Sequence, residues 1–289
     1  MPEYLQIGFS VKGLVPPEQE TVFDDYILIR QNTKSKEAMI FFKVPIKKEE
    51  ERREIEYRCS DSLKNLLQIY GLVSDHYAKE SGQVSQRISS ACPFGSIENS
   101  WIATLTQKLN EKEKEEQKQR EFSYIKQTID KYKTIEMTLQ TKKKGFLRNA
   151  IDYYYRSLGE NEYLEQKFVD LMIAFEYLFS DQNGESKLRY SLRAGFLLSI
   201  GKEDKRPEIV ENVRNLYGKR SDIVHGRGNL ELTYGDTEIL RQYVKKAIKQ
   251  LLYIDMPKKD FLTFLDESVY NEKKYEELTA KVNEAKSKW

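Results

Sequence analysis

The sequence predicts a mainly α-helical protein, with a C-terminal antiparallel helical bundle preceded by a mixed N-terminal region that holds a small β-sheet. Three observations predict it. Short β-rich runs broken by turn residues fill roughly the first fifty positions. Apolar side chains recur at helical spacing in five successive stretches after Gly145. Only short connections separate those stretches, so packing them against one another is the natural way to bury their stripes.

The elements follow in order. Tyr4 to Val11, Val22 to Ile29 and Ala38 to Val44 read as strands, separated by Gly13-Leu-Val-Pro-Pro17 and Gln31-Asn-Thr-Lys34. Ser60 or Asp61 then caps a helix in which Leu63, Leu66, Leu67 and Tyr70 keep helical spacing up to Gly71. Ser81 to Ser100 reads as a loop. From Leu105 to Lys144 the chain is dominated by Lys, Glu and Gln, with sparse apolar positions at Leu109, Phe122, Ile125, Ile129 and Tyr132. That pattern predicts a long, mostly solvated helical region whose seam is too weak to sustain heptads.

The bundle begins at Gly145. Leu147, Ile151, Tyr154, Tyr155 and Leu158 form its first stripe, and Leu164, Phe168, Leu171, Met172, Phe175, Leu178 and Phe179 its second. Ser186 to Ile200 continues with Leu188, Leu192 and Phe196. Pro207 marks a helix start ahead of Ile209, Val213, Leu216 and Tyr217. Asp236 is the expected cap of the last stripe, Ile239, Leu240, Tyr243, Val244, Ile248, Leu251 and Leu252. Pro257 ends the pattern, and the stretch to Trp289 reads as one more charged helix. The expected organisation is thus a mixed region over 1–140, a helical domain over 141–256 and a charged helical tail over 257–289.

Composition narrows the function classes. Of 289 residues 33% are charged and 12% aromatic, which gives a solvated surface together with enough bulk for cores. The net charge of +2 means that affinity for nucleic acid must come from a local basic face. Cys59 and Cys92, the only cysteines, are too few for a disulfide framework or a thiolate zinc site and fit a reducing cytoplasm. No window approaches the roughly 18 apolar residues of a membrane span, and the first twenty residues lack a charged lead followed by an apolar run. The expectation is a cytoplasmic protein without a membrane segment. There is no Gly-rich phosphate loop, nucleophile elbow or metal-ligand spacing, so neither a metal nor a cofactor is expected.

Two histidines remain. His76 has no Arg or carboxylate near it in sequence except Asp75 and reads as an ordinary surface or loop residue. His225 stands five residues after Arg220 at the end of a helix, with Gly226 as a C-terminal stop, which places its imidazole at the negative end of the helix dipole. Arg220 falls in register with Val213, Leu216 and Tyr217, so its guanidinium is directed at a packed surface or an interface. One reading pairs it with a carboxylate such as Glu176 on the apolar Phe175-Glu-Tyr-Leu-Phe179 helix. The other makes Arg220 and His225 a catalytic pair. RNA cleavage without metal needs a proton acceptor for the 2′-hydroxyl and a cation for the phosphorane, and these are the right residue types.

Phe175-Glu-Tyr-Leu-Phe179, Leu192-Arg-Ala-Gly-Phe-Leu-Leu198 and, above all, Leu216-Tyr-Gly-Lys-Arg-Ser-Asp-Ile-Val-His-Gly226 resemble the Apea-like branch of the HEPN superfamily. The resemblance covers about residues 145 to 255. It implies a helical bundle that pairs as a homodimer, bringing Arg220 and His225 of both copies into one cleft. Active members are metal-independent RNA endonucleases, often in toxin or antiphage systems, so an antitoxin or a phage-derived trigger is an implied partner. Ser221 fills the family's polar position, where Asn, Asp or His is more usual. Other members are non-catalytic scaffolds that bind a nucleotide or a partner protein. Asp222 either orients His225 or is a solvated helix residue, and Lys219, Arg227, Arg189 and Arg193 are the candidates for gripping RNA phosphates.

Overall fold

A computed structural model describes residues 3–12, 21–24, 27–31, 38–45, 52–74, 79–89, 123–141 with gaps at 125, 126, 129 and 133, and 144–289 apart from 160–162, 182–186 and 227–231. His76, Cys92, Arg227, most of the expected loop from Ser90 onward, and Leu109, Phe122, Ile125 and Ile129 lie outside the described residues. The chain divides into two compact units, Met1–Lys133 and Thr134–Trp289.

The first unit holds a five-stranded antiparallel sheet. Its strands are β1 (Glu3–Lys12), β2 (Thr21–Asp24), β3 (Ile27–Gln31), β4 (Ala38–Pro45) and β5 (Lys79–Ser89), in the order β2-β3-β4-β1-β5. Alternation sets the register: Ile7, Phe9 and Val11 stand opposite Phe42, Ile40 and Ala38, and all six are buried. Gly8 faces Phe41 across the same pair, and a Cβ there would strike the Phe41 ring. Helix α1 (Arg52–Ser74) packs on β1 through a buried row that includes Ile55, Cys59, Leu63, Leu66 and Tyr70. Burial pushes the Cys59 thiol up to about 11, so it behaves as a small apolar side chain.

Three expectations change here. The run from Val22 to Ile29 is two paired strands, β2 and β3. Ser60 and Asp61 lie inside α1, which begins at Arg52 and passes through Gly71. Ser81 to Ser89 is strand rather than loop, because pairing with β1 over most of its length overrides its polar composition. In the charged helical region Tyr132, Ile135 and Leu139 are buried.

The second unit is a helical bundle. Its members are α2 (Gly145–Arg156), α3 (Leu164–Phe179), α4 (Lys187–Leu198), α5 (Arg206–Val224), α6 (Tyr234–Leu252), α7 (Lys258–Ser268) and α8 (Glu272–Ser287). Helix α3 is central and packs on α2, α5 and α6; its Phe168, Leu171, Phe175, Leu178 and Phe179 are fully buried. Lys144, itself buried, donates to the carbonyls of Leu251 (2.7 Å) and Ile254 and so closes the end of α6. Thr233, not Asp236, caps α6; Asp236 is the third helical residue of a capping box. The stretch after Pro257 is two helices rather than one, and both bury apolar residues, Phe261 and Leu265 from α7 and Leu278 and Val282 from α8.

Helix α4 corrects a further expectation. Leu188 is 52% exposed, and Leu192 and Phe196 are only partly covered. The inward row is Tyr190, Arg193, Ala194 and Leu197. Arg193, 1% exposed, donates from Nε and Nη2 to the two Asp266 oxygens (2.7 and 2.8 Å) and from Nη1 to the Phe179 carbonyl (2.9 Å). Arg189 adds two more donations to Asp266, at 2.6 and 3.1 Å. Burial would raise the Asp266 carboxyl, but Arg193 and Arg189 outweigh it and hold it below the usual carboxylate range. Two residues along, a Cβ on Gly195 would collide with Cγ2 of Val210, so glycine lets α4 and α5 approach closely.

Removing one partner of a buried ion pair leaves the other charge uncompensated, so Arg193→Ala should destabilise the second unit by about 3–5 kcal/mol in urea denaturation. The folded-state value of Asp266 lies below its unfolded 3.8, so its contribution is present above that pH and is lost as pH falls through the folded value. Melting temperature should therefore fall below about pH 4, and Asp266→Asn should give a lower but flatter acid limb. An unchanged acid limb in that variant would contradict the assignment.

Candidate functional site

The site is built on the last two turns of α5. An aromatic run sets the rotation of that helix: Phe179, Phe175, Tyr190 and Tyr217 follow one another with ring centroids 4.6, 5.2 and 5.6 Å apart, linking α3, α4 and α5. Three residues beyond Tyr217, Arg220 turns to α3, where its Nη2 lies 3.4 Å from Oε1 of Glu176. The two side chains are 28% and 29% exposed, so the pair is open to solvent. Burial pushes the Glu176 carboxyl up, and Arg220 offsets part of that rise.

His225 is the C-cap of α5 and is exposed. Its backbone N–H donates to the Ser221 carbonyl (3.0 Å), and Gly226 follows with φ +62°, the left-handed stop expected of that glycine. Side chains five apart on a helix diverge by about 140°. Arg220 therefore belongs to the side that meets α3, whereas His225 continues a different row, three residues beyond Asp222.

Asp222, but not His225, lines a cleft of about 420 Å³. Asn212, Asn215, Lys219 and Asp222 of α5 face Asp236 and Ile239 of α6 there, with Lys187 at the start of α4. Lys219 donates to Oδ2 of Asp236 at 2.6 Å. The same oxygen accepts from the backbone N–H and hydroxyl of Thr233, at 2.9 and 2.7 Å. Burial alone would raise the Asp236 carboxyl; the bonds from Lys219 and Thr233 outweigh it and lower it. Asn212 donates to the Tyr243 hydroxyl at 3.1 Å.

Of the expected phosphate-gripping residues, Lys219 lines the cleft but is paired with Asp236. Arg193 is sealed inside the bundle, so it holds the fold rather than contacting RNA, while Arg189, 52% exposed, has two donor atoms engaged by Asp266. The reading of Arg220 as the partner of Glu176 describes the pairing within one chain. Asn212, Asn215 and Lys187 went unnoticed in the sequence; for the two asparagines the signal was a polar row at helical spacing on α5, flanking its apolar stripe.

Comparisons of the chain with protein-family models, with curated proteins and with solved structures find no match. Among the described residues no group of three or more His, Cys, Asp or Glu is placed to hold a metal ion, and no helix is long and apolar enough to cross a membrane.

The Arg220–Glu176 pair is half open to water, so Glu176→Gln should change unfolding free energy by no more than about 1 kcal/mol. Asp236→Ala removes a capping-box partner and the acceptor of Lys219, and should cost about 1–2 kcal/mol. Chemical denaturation compares the two. A loss above about 3 kcal/mol for Glu176→Gln would make that pair a structural support of buried-pair strength.

Proposed function

We propose that this chain is a metal-independent RNA endonuclease of the HEPN type, working as a homodimer in a bacterial defence or toxin setting, with Arg220 and His225 as its reacting groups. The observation that carries the reading is the Arg220-Ser-Asp-Ile-Val-His225-Gly string ending a bundle helix, with an exposed imidazole on the helix cap three residues beyond Asp222 of the polar cleft. His225 takes the proton of the 2′-hydroxyl, the 2′-oxygen attacks the adjacent phosphorus, and the Arg220 guanidinium neutralises the charge that grows on the phosphorane. The bond to the 5′-oxygen breaks and that oxygen takes up a proton. The products are a 2′,3′-cyclic phosphate and a 5′-hydroxyl. Glu176 holds Arg220 until a phosphate takes its place.

Pairing of two copies supplies what one helix lacks, since Arg220 and His225 of a single copy diverge around α5. Supporting a second copy are large apolar side chains left open around this end of the bundle: Val224 (53% exposed) next to His225, Leu188 (52%) next to Lys187, and Ile239 (38%) in the cleft. The runner-up reading is a non-catalytic scaffold that binds a nucleotide or a partner protein. The Arg220–Glu176 pair favours it, because there the guanidinium serves the fold.

Cleavage of mixed cellular RNA by the purified chain in excess EDTA separates the two readings. We expect it to proceed, with Arg220→Ala and His225→Ala each slowing it on the order of 10²-fold or more. Groups that act as a unit are non-additive, so the double variant should be little worse than either single one. Folded single variants that cut as fast as the parent, or activity that EDTA removes and a divalent metal restores, would refute the assignment. Light scattering at micromolar concentration should give the mass of two chains; a monomeric mass would contradict the composite cleft.

A further inference from the structure

At the other end of α5, the turn that follows α4 gathers cations. Lys246 of α6 donates to the Leu198 carbonyl (2.6 Å), Lys286 of α8 to the Ile200 carbonyl (3.0 Å), and Nε of Arg206 to the Ser199 hydroxyl (3.0 Å). Lys202 stands in the same turn, just after Gly201, whose φ of +81° turns the chain. Half-buried Lys246 has its ammonium disfavoured by desolvation, then by the charges of Lys286 and Lys202.

Closing a helix end does not require this much charge. A helix C-terminus carries about half a negative charge, and one ammonium answers it. Here two ammoniums meet its carbonyls, Arg206 meets the Ser199 hydroxyl and Lys202 follows in the turn, and the carboxylate beside them is Glu203, which accepts from Gly201 N–H (2.9 Å) and the Tyr275 hydroxyl (3.1 Å). The neighbouring Lys205 is already paired with Glu208 at 3.1 Å. A surplus of roughly two positive charges is left around this turn. Donors are left as well, since an ammonium has three N–H groups and Lys246 and Lys286 each spend one on a carbonyl. The Arg206 guanidinium is fixed on the rings of Phe196 and Tyr275, 4.0 and 4.6 Å from their centroids, and its Nη2 has no hydrogen-bond partner.

We propose that the Leu198–Lys202 turn, with Lys202, Lys246, Lys286 and Arg206 converging on it, is a phosphate-binding site. Compact ammonium charges with unused donors suit a multiply charged phosphoryl group, whether on a small phosphorylated molecule or along a nucleic-acid strand. The site stands apart from the proposed reacting groups, because Arg206 begins α5 and His225 caps it, a separation of roughly 28 Å along the helix. It does not rest on the ribonuclease reading.

Inorganic pyrophosphate titrated into the full chain at low ionic strength, followed by calorimetry and thermal shift, tests the proposal. Pyrophosphate should bind and raise the melting temperature. Lys202→Gln, which removes no carbonyl cap, should weaken binding several-fold while leaving the unliganded melting temperature unchanged. Adding Lys286→Gln should weaken binding at least tenfold, and Lys205→Gln should have no effect. A single-stranded 2′-deoxy oligonucleotide identifies the source: displacement of pyrophosphate in parallel with its own loss of affinity in the double variant assigns the strand backbone, and its failure to displace assigns a small phosphorylated molecule. No pyrophosphate binding at millimolar concentration, or equal affinity in the parent and the double variant, overturns the proposal.

Discussion

The buried Arg193 guanidinium, held between the Asp266 carboxylate and the Phe179 carbonyl, is the constraint on which the second unit turns. Taking a guanidinium out of water costs several kcal/mol unless its donors and its charge are both matched. Helix α4, helix α7 and the end of α3 must therefore meet in one arrangement. With α4 fixed, Gly195 against Val210 sets how near α5 lies, and the Phe175, Tyr190 and Tyr217 rings set its rotation. The direction of Arg220 toward Glu176, and the separate row of Asp222 and His225, follow from that rotation. A residue with no part in the proposed chemistry thus helps decide where the proposed chemical groups stand.

The helices with an uninterrupted apolar stripe were legible in the sequence, because periodicity reports a buried face directly. Leu147 to Tyr155, Phe168 to Phe179 and Leu240 to Leu252 each lie inside the helix their spacing predicts. Helix α4 was misjudged by its face, since Leu188, Leu192 and Phe196 imitate a stripe while the true inward row contains an arginine. Its partner Asp266 is 73 residues away, and nothing local marks a charge as neutralised at that range. A separation of 77 residues likewise hid the Arg189–Asp266 pair. Strand β5 was hidden for a related reason: its sequence is polar, and the hydrogen bonds that make it a strand come from β1. At α6, Thr233 and Asp236 are both good capping residues, and only the reciprocal bonds show which is the cap.

The candidate site was legible in part. His225 and Gly226 end α5 as the helix-stop pattern requires, and Glu176 was among the readings for Arg220. The cleft was not foreseen, because Asn212, Asn215 and Asp222 on one side of a helix look like an ordinary solvated face until α6 and the start of α4 close over them. Lysine recurs at helix ends throughout this unit, with Lys144 on the carbonyls after α6, and Lys246 and Lys286 on those after α4. One ammonium per end satisfies the backbone, so the surplus at the Leu198–Lys202 turn stands out against the chain's own usage.

The central claim is that a 2′-hydroxyl is the nucleophile, with His225 accepting its proton and Arg220 answering the charge. Analysis of the fragment ends made from a defined RNA in excess EDTA tests it most directly. The account predicts 5′-hydroxyl and 2′,3′-cyclic phosphate ends from the parent chain, no cut at a site where the 2′-hydroxyl is replaced by hydrogen, and no fragments from folded His225→Ala protein. Intact RNA with the parent chain, 3′-hydroxyl and 5′-phosphate ends, or cutting that persists at the 2′-deoxy site would contradict it.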